Sequence, residues 1–356
     1  MRVCILGVGL SSFTLAKALV NQNIYVEILS LNKPLPINKT RTIGISESNV
    51  NFFNLKILNI EKILWKLNKI EIFTDNLRQE KIIKFENNNK YLFSIVKNYE
   101  LIDLLKKSLK KNKYFKLFNL KNNFSYKNYD LVVNTDQNNN LTKKFFSKKI
   151  IKKYNSFAYT TVIKHEKIVN NIATQIFTKK GPIAFLPVSD NETSIVYSVH
   201  NSNNNKDNIK KLIENNNIKY KIKKIGQIEK FELKSLILRS YYHENILAFG
   251  DLLHKIHPLA GQGFNMTIRD TQILIEIIRD KISLGLPIDN SVSNQFEKKI
   301  KHKNYLFSNG IDLIYELFNF ERRYNNTFIS KSVQLFGRNR SLNKFFTKVA
   351  DQGFIF

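Results

Sequence analysis

Apolar residues are concentrated at residues 3–6 and again at 24–29, and between them Phe13, Leu15, Ala16, Ala18 and Leu19 recur at helical spacing. This pattern predicts a strand, a helix and a second strand, with Gly7-Val8-Gly9-Leu10-Ser11-Ser12 forming the first turn. Residues 31–66 read as a loop leading into a helix-like stretch at 50–67, and the short alternating runs of 68–97 read as strands. Residues 99–109 predict a helix, and 130–134 a strand that ends in the turn Asp136-Gln137-Asn138-Asn139. From 156 to 199 the pattern is strongly β, with runs at 159–163, 174–177, 183–186 and 194–199. A helix is expected at 207–216, strands at 235–242 and 245–249, a long amphipathic helix at 264–284, and mostly helix over 291–350. The Asn/Lys-rich segments 119–128 and 201–225 are expected to be surface loops or solvated helices.

Two of these turns carry chemistry. In the first, Gly7 and Gly9 let the backbone turn tightly against a pyrophosphate, as at the opening of a Rossmann-like nucleotide-binding unit. Ser12 holds the third glycine place of that motif. Ser30 stands where an acidic residue would bind a ribose, and its hydroxyl makes a weaker bond than a carboxylate. The second turn is Gly250-Asp251-Leu252-Leu253-His254-Lys255-Ile256-His257-Pro258-Leu259-Ala260-Gly261-Gln262-Gly263-Phe264-Asn265. Here an Asp, a Pro and a Gly-Gln-Gly turn lie between an apolar strand and a long helix. Free backbone N–H groups at that helix N-terminus suit an anionic or electron-rich ring.

Composition narrows the classes. At 356 residues and 43% hydrophobic, the chain suits one large domain or two intertwined ones. The net charge of +28 is spread along the sequence rather than gathered in a tail. Lys, Asn and Ile, all abundant here, have AT-rich codons, so genome composition accounts for the charge without a nucleic-acid partner, and none is expected. A basic surface still favours anionic lipid headgroups. The one cysteine, Cys4, excludes an internal disulfide and a Cys-based zinc site and fits a reducing cytoplasm. No apolar run reaches the roughly 20 residues that span a bilayer, so membrane contact is expected to be peripheral. Residues 1–6 look superficially like a signal peptide, but the glycines and second strand that follow favour the nucleotide-binding opening. His254 and His257 have metal-ligand spacing without companion ligands, so no metal site is predicted. His165 with Glu166 reads as a strand-edge pair, and Leu313, Leu317 and Phe318 as helix packing.

Taken together, Gly7-Val8-Gly9, Arg41 before a helix, and the 250–265 segment continuing to Arg269-Asp270 resemble the FAD-dependent aromatic hydroxylases, the para-hydroxybenzoate hydroxylase-like flavoprotein monooxygenases. Within them the chain looks most like the ubiquinone-biosynthesis hydroxylases. The resemblance extends to His165-Glu166-Lys167, Gln175-Ile176-Phe177-Thr178 and Gly181-Pro182-Ile183-Ala184-Phe185-Leu186-Pro187, and more loosely to Leu313-Ile314-Tyr315-Glu316-Leu317-Phe318. It implies an α/β fold: a Rossmann-like FAD-binding domain with C-terminal helices (1–67, 98–155 and 240–356) interleaved with a β-sheet substrate domain (68–97 and 156–239). It implies FAD as cofactor, with Gly7, Gly9 and Ser12 at the pyrophosphate and Ser30 at the ribose. Arg41 and Asp251 would lie beside the pyrophosphate or ribityl chain. The amides of Gly261, Gln262 and Gly263, with Asn265 next in the motif, would face the pyrimidine end of the isoalloxazine. Pro258 would pack at its reactive edge and is the one residue nominated for the catalytic centre. A helix N-terminus there would stabilise the negative charge that reduced flavin develops near N1 and C2=O.

The activity implied is hydroxylation of a polyprenylated phenol or benzoquinol ring in ubiquinone biosynthesis, through a flavin C4a-hydroperoxide formed with O2. NAD(P)H or a protein would supply electrons. The setting would be cytoplasmic, peripheral on the inner face of the membrane, among other ubiquinone-synthesis proteins. The sequence departs from the pattern at Ser12 and Ser30, at Gln137 where an Asp-Gly turn is usual, and at Lys143 where arginine is usual. Two other readings follow: a non-catalytic flavoprotein-like subunit of a ubiquinone-synthesis complex, and an FAD-dependent isoprenoid reductase.

Overall fold

A computed structural model describes the chain except for residues 31–37, 76–79, 87–90, 120–124, 201–205, 259–260, 325–326, 339–343, 345–346, 350 and 354–356. The chain begins with strand β1 (Arg2–Leu6), helix α1 (Leu10–Val20) and strand β2 (Tyr25–Ser30). Strand β3 (Thr42–Ser46) runs into the short helix α2 (Glu47–Phe52), which continues as a π-helical turn, Phe53–Ile57. Strands β4 (Trp65–Leu67), β5 (Lys69–Thr74), β6 (Glu80–Glu86) and β7 (Phe93–Lys97) precede helix α3 (Asn98–Lys110), β8 (Phe115–Asn119) and β9 (Leu131–Asn134). After α4 (Asn140–Phe145) come β10 (Lys149–His165), β11 (Ile172–Thr178), β12 (Gly181–Pro187), β13 (Glu192–His200), α5 (Lys206–Asn215), β14 (Ile222–Ile225) and β15 (Glu229–Leu238). Short strands β16 (Tyr242–His243), β17 (Ile246–Ala248) and β18 (His254–Lys255) lead to the helices α6 (Gly263–Ser283), α7 (Asn290–Tyr324) and α8 (Phe328–Arg338).

Among the described residues the strands form three sheets. One has the order β16-β17-β9-β1-β2-β8 and is parallel except for the β16–β17 hairpin. Its central strands are apolar without alternation, as expected of a parallel sheet covered on both faces: Val3, Cys4, Ile5 and Leu6 of β1 and Leu131, Val132 and Val133 of β9 are all buried. Helix α1 buries Phe13, Leu15, Ala16, Ala18 and Leu19 on this core, and each large side chain among them contributes about 1.5–3 kcal/mol. The second sheet, β18-β15-β10-β13-β12-β11-β5-β6 with β14 on β10, is antiparallel apart from the β11–β5 pair. Alternation is clearest in β12, where Gly181, Ile183, Phe185 and Pro187 point inward. The third sheet is β3-β7-β4.

The expected α/β architecture with a helical C-terminus is what the chain adopts. Three local expectations are corrected. The helix-like stretch 50–67 is continuously helical only to Ile57; Glu61–Ile63 makes a single 3-10 turn, and 65–67 is strand β4, where Leu67 meets the apolar demand by pairing against Phe93. Residues 222–225 form an edge strand on β10, because Ile222 and Ile225 pack into the core behind the sheet. Strand β15 ends at Leu238, short of the expected 242. In addition, β7 pairs with β3 and β4, and β10 begins at Lys149. Residues 120–124 and 201–205 of the Asn/Lys-rich segments lie outside the described residues.

Helix α7 ties the layers together. At 35 residues it is about 50 Å long. Val292, Phe296 and Ile300 belong to the core of the parallel sheet, Phe307 packs with Ile256 and Met266, and Ile311, Tyr315 and Phe318 lie on the nine-stranded sheet. A buried polar lock joins α6 to α7. His254 donates Nε2–H to Asp270 at 2.6 Å, and Asn304 of α7 donates to the same carboxylate at 3.1 Å. Asp270→Ala strands His254 and Asn304 in this interior, and a loss of about 3–5 kcal/mol is expected from urea unfolding of the two proteins.

Candidate functional site

Strand β1 delivers the chain to Gly7 at φ +104°, where a Cβ would lie 2.5 Å from Thr135 Oγ1, so conformation and space both demand glycine. Gly9 is the N-cap of α1. It supplies no side-chain cap, and nothing lies within 4 Å of where its Cβ would be. The turn is therefore open above a helix whose first amides carry no side-chain cap, the arrangement that attracts phosphate. Ser12 is fully buried and its hydroxyl lies 2.8 Å from that of Thr135, which donates to the Leu6 carbonyl. Ser12 thus braces the turn from beneath. Ser30 is buried at the end of β2.

The second turn packs directly on the first. Gly250 has φ +63°, and a Cβ there would come within 2.7 Å of Ser11 in the first turn of α1. Gln137 donates Nε2–H to the carbonyl of Asp251 at 2.6 Å, so the residue that departs from the usual Asp-Gly turn holds Asp251 in place. Asp251 itself is exposed, as is Arg41, whose carbonyl accepts the Asn98 amide ahead of α3. Lys255 lies in the field of both. Burial depresses its ammonium pKa, repulsion from Lys234 and Arg41 adds to this, and Asp251 opposes it. Sequence reasoning missed Lys255. Lys143 lies exposed on α4.

At the N-terminus of α6, residues 259 and 260 lie outside the described residues, and Gly261 donates its amide to the Pro258 carbonyl at 3.1 Å. Gln262 is the N-cap, gives no side-chain cap, and is 3% exposed. Its Oε1 is buried with no hydrogen-bond partner among the described residues. Asn265 is fully buried. Its Oδ1 accepts the Ser46 amide and Asn49 Nδ2 at 2.9 Å each, while its Nδ2 donates to the Gly44 carbonyl at 2.9 Å and reaches that of Gly261 at 3.4 Å. Its side chain fixes α6 to β3. Gly44 matters for the same junction: a Cβ there would fall 1.9 Å from the Phe93 ring. Gly44 and Phe93 gave no motif in the sequence.

Beneath Pro258 the nine-stranded sheet meets α7. His257 is 1% exposed, its ring edge-on to Tyr154 of β10 and 4.3 Å from the ring of Tyr315 of α7. Burial, reinforced by His200 and Lys152, pushes its pKa down to about 3, so the ring is neutral at ordinary pH. Ser156 Oγ lies 3.0 Å from His200 Nδ1 and 3.2 Å from the Tyr315 hydroxyl, and Tyr154 donates its hydroxyl to Asp312. Phe177 stacks on Phe318. The cavity beside Thr178, Gly181, His200 and Asn319 is about 20 Å3, room for one water and not for an aromatic ring. A wider groove of about 1070 Å3 between β16 and α7 shares no residue with the glycine turns. His254 and His257 face different partners, Asp270 and the two tyrosines. His165 is not at a sheet edge but buried at the end of β10, an interior strand, where it bonds the Glu166 carbonyl and Thr193.

Comparison with known proteins bears out the resemblance. Residues 142–283 match the FAD binding domain family. The chain is 30% identical over 155 residues to the 3-demethoxyubiquinol 3-hydroxylase of Escherichia coli (strain K12), covering 40% of this chain and 38% of that protein. It is 30% identical over 129 residues to the mitochondrial ubiquinone biosynthesis monooxygenase COQ6 of Schizosaccharomyces pombe, covering 36% of this chain and 27% of that one. The matched segments span less than two fifths of either relative's length. In fold, the chain is similar to p-nitrophenol 4-monooxygenase PnpA from Pseudomonas putida DLL-E4, with a TM-score of 0.78, 11% identity, and 97% and 96% of the two chains covered. FAD is the cofactor these findings support. The residues at the two glycine turns fit it: two helix N-termini without side-chain caps, an open glycine turn, and at the second turn a buried Gln262 Oε1 with no hydrogen-bond partner among the described residues.

Two expectations follow. Gly44→Ala collides with the Phe93 ring and should cost several kcal/mol on the scale of about 1–3 for an overpacked methyl plus displaced backbone, and adding Phe93→Ala should restore part of it. A double-mutant cycle by thermal unfolding checks this, and strict additivity would refute the contact. For His257, the unfolded chain takes up a proton near pH 6.5 that the folded protein refuses until about 3. The residue therefore removes stability as pH falls through that window. His257→Phe should flatten the decline between pH about 6.5 and about 3, measured by urea unfolding at each pH.

Proposed function

We propose that this chain is an FAD-dependent monooxygenase that hydroxylates a polyprenylated phenol or benzoquinol in ubiquinone biosynthesis. The observation that carries the reading is a pair of glycine turns that each open onto a helix N-terminus without a side-chain cap: Gly7 to Gly9 ahead of α1, with Gly250 packed on Ser11, and Gly261 ahead of α6, beside Gly44. The ubiquinone-pathway names of the relatives support the substrate class.

Gly7, Gly9 and the α1 amides would hold the pyrophosphate, with Arg41 and Asp251 flanking it and Ser30 toward the ribose. Gln262 and Gly263 would offer amides to the pyrimidine end, where the α6 dipole favours negative charge; the Gly261 amide, expected from the sequence to join them, is taken by the Pro258 carbonyl and shapes the turn instead. Bound and reduced, the flavin supplies oxygen activation and hydroxyl transfer; NAD(P)H or a protein donor reduces it, and O2 is the co-substrate. Pro258 would close the reactive edge against water, with the nine-stranded sheet as roof over the substrate. The division into a flavin domain and a β-rich substrate domain is kept as part of this reading. Gln137 gripping Asp251 favours a turn re-formed with different residues over a decayed one, and so an active enzyme over a non-catalytic subunit.

No helix among the described residues is long and apolar enough to cross a membrane. Leu313, Ile314, Leu317 and Phe320 nevertheless expose one apolar stripe on α7, joined by Phe328 and Leu335 on α8. Such a stripe on a chain of net charge +28 suits peripheral contact with an anionic bilayer, where a polyprenyl substrate resides.

Purified protein should be yellow and release FAD on denaturation, and with labelled O2 it should place one labelled oxygen on a prenylated phenol. A colourless protein that cannot be reconstituted with FAD sinks the proposal, and reduction of an isoprenoid double bond without oxygen incorporation would favour the reductase. Co-sedimentation with anionic vesicles should weaken in Leu317→Glu and Phe320→Glu proteins that keep their flavin.

A further inference from the structure

Helix α2 begins without a cap of its own. Ser46 is its N-cap residue and makes no side-chain bond to the first amides. The acceptor comes from far along the chain: Asp351 Oδ1 accepts the Ser48 amide at 2.9 Å, and the Asp351 carbonyl accepts the hydroxyls of Ser46 and Ser48, also at 2.9 Å. The chain around Asp351 is strapped across α6. Val349 packs with Ile256, Met266 and Phe307, and Gly353, at φ +75°, lies so close to the Arg269 guanidinium that a Cβ would come within 3.2 Å of Nε. From Ser46 the hydrogen bonds run on. Asn49 Nδ2 donates to Ser46 Oγ at 2.8 Å and to Asn265 Oδ1 at 2.9 Å, the Ser46 amide donates to that same Oδ1, and Asn265 Nδ2 reaches the carbonyls of Gly44 and Gly261. An unbroken network therefore joins Asp351 to the turn at the N-terminus of α6.

We propose that Asp351 is a positioning residue for the isoalloxazine end of the flavin site. By capping α2 from a distance it fixes Ser46 and Asn49, these orient the Asn265 carboxamide, and that group sets the spacing between Gly44 and the Gly261 turn. The inference rests on the FAD reading above and names a residue outside every motif that suggested it.

The test is FAD titration of flavin-stripped protein, followed by flavin fluorescence and the visible band, with thermal melts of stripped and loaded forms. Wild-type protein that takes up no FAD would overturn the flavin reading itself, before any variant is compared. Given wild-type binding, Asp351→Ala should weaken FAD affinity about five- to tenfold, the scale of a lost helix cap, shift the visible band, and lower the loaded melt more than the stripped one. Asp351→Asn keeps an oxygen acceptor for the Ser48 amide and should stay within about twofold of wild type. Unchanged affinity in Asp351→Ala with both melts lowered equally would reduce Asp351 to a structural cap, and equal loss in Asp351→Asn and Asp351→Ala would overturn the capping argument. Should Asp351→Ala not fold, Ser48→Ala removes one bond to the Asp351 carbonyl and should weaken FAD binding about two- to threefold; unchanged affinity there counts against the proposal.

Discussion

The site hangs from one buried carboxamide. Asn265 has two donor hydrogens and two acceptor lone pairs, and the protein meets them with the Gly44 and Gly261 carbonyls on one side and the Ser46 amide and Asn49 on the other. Only an amide offers both faces at this size. A carboxylate would set negative charge against two carbonyl oxygens, and an apolar residue would strand buried donors and acceptors at a cost of about 1–3 kcal/mol each. Because Asn265 stands in the first turn of α6, this bonding also fixes the direction in which that helix presents its free amides.

The electrostatics follow from where ordinary groups are buried rather than from any one catalytic charge. Cys4 lies fully inside β1, where burial raises its thiol pKa and leaves it an inert packing residue. His257 is held neutral between two tyrosines at ordinary pH, so it brings no charge of its own beneath Pro258. Arg269, under the Gly353 backbone, has its pKa lowered by burial to about 10 and still bears charge at neutral pH. The exposed cations are distributed over the surface. The +28 net charge therefore bears on what the molecule meets in solution more than on the chemistry of its interior.

Much of the fold could be read from periodicity, and the reasons are local. Strand β1, helix α1 and strand β2 were legible because a covered parallel strand is continuously apolar and α1 repeats its apolar face every turn. The stretch 50–67 misled because Ile57, Ile60, Leu64 and Leu67 keep a helix-like spacing while the chain leaves the helix after Ile57, and pairing across β7 decided the outcome. At the site, Gly7, Gly9, Asp251 and Gly261 were legible as motif positions. Ser12 was read as a ligand contact, yet its hydroxyl faces Thr135, 123 positions away. Gln137 read as a departure because its bond to Asp251 crosses 114 positions. Contacts of that range leave no spacing in a sequence.

Helix α7 has one more consequence. A rod rooted in the core of the parallel sheet and lying across the nine-stranded sheet keeps the two from drifting apart independently. The spacing between the two sheets is thus a fixed dimension of the scaffold. Widening the space between α7 and the sheet over evolutionary time would mean whittling down Ile311, Tyr315 or Phe318, the knobs α7 turns toward the sheet, while the frame around them stayed as it is.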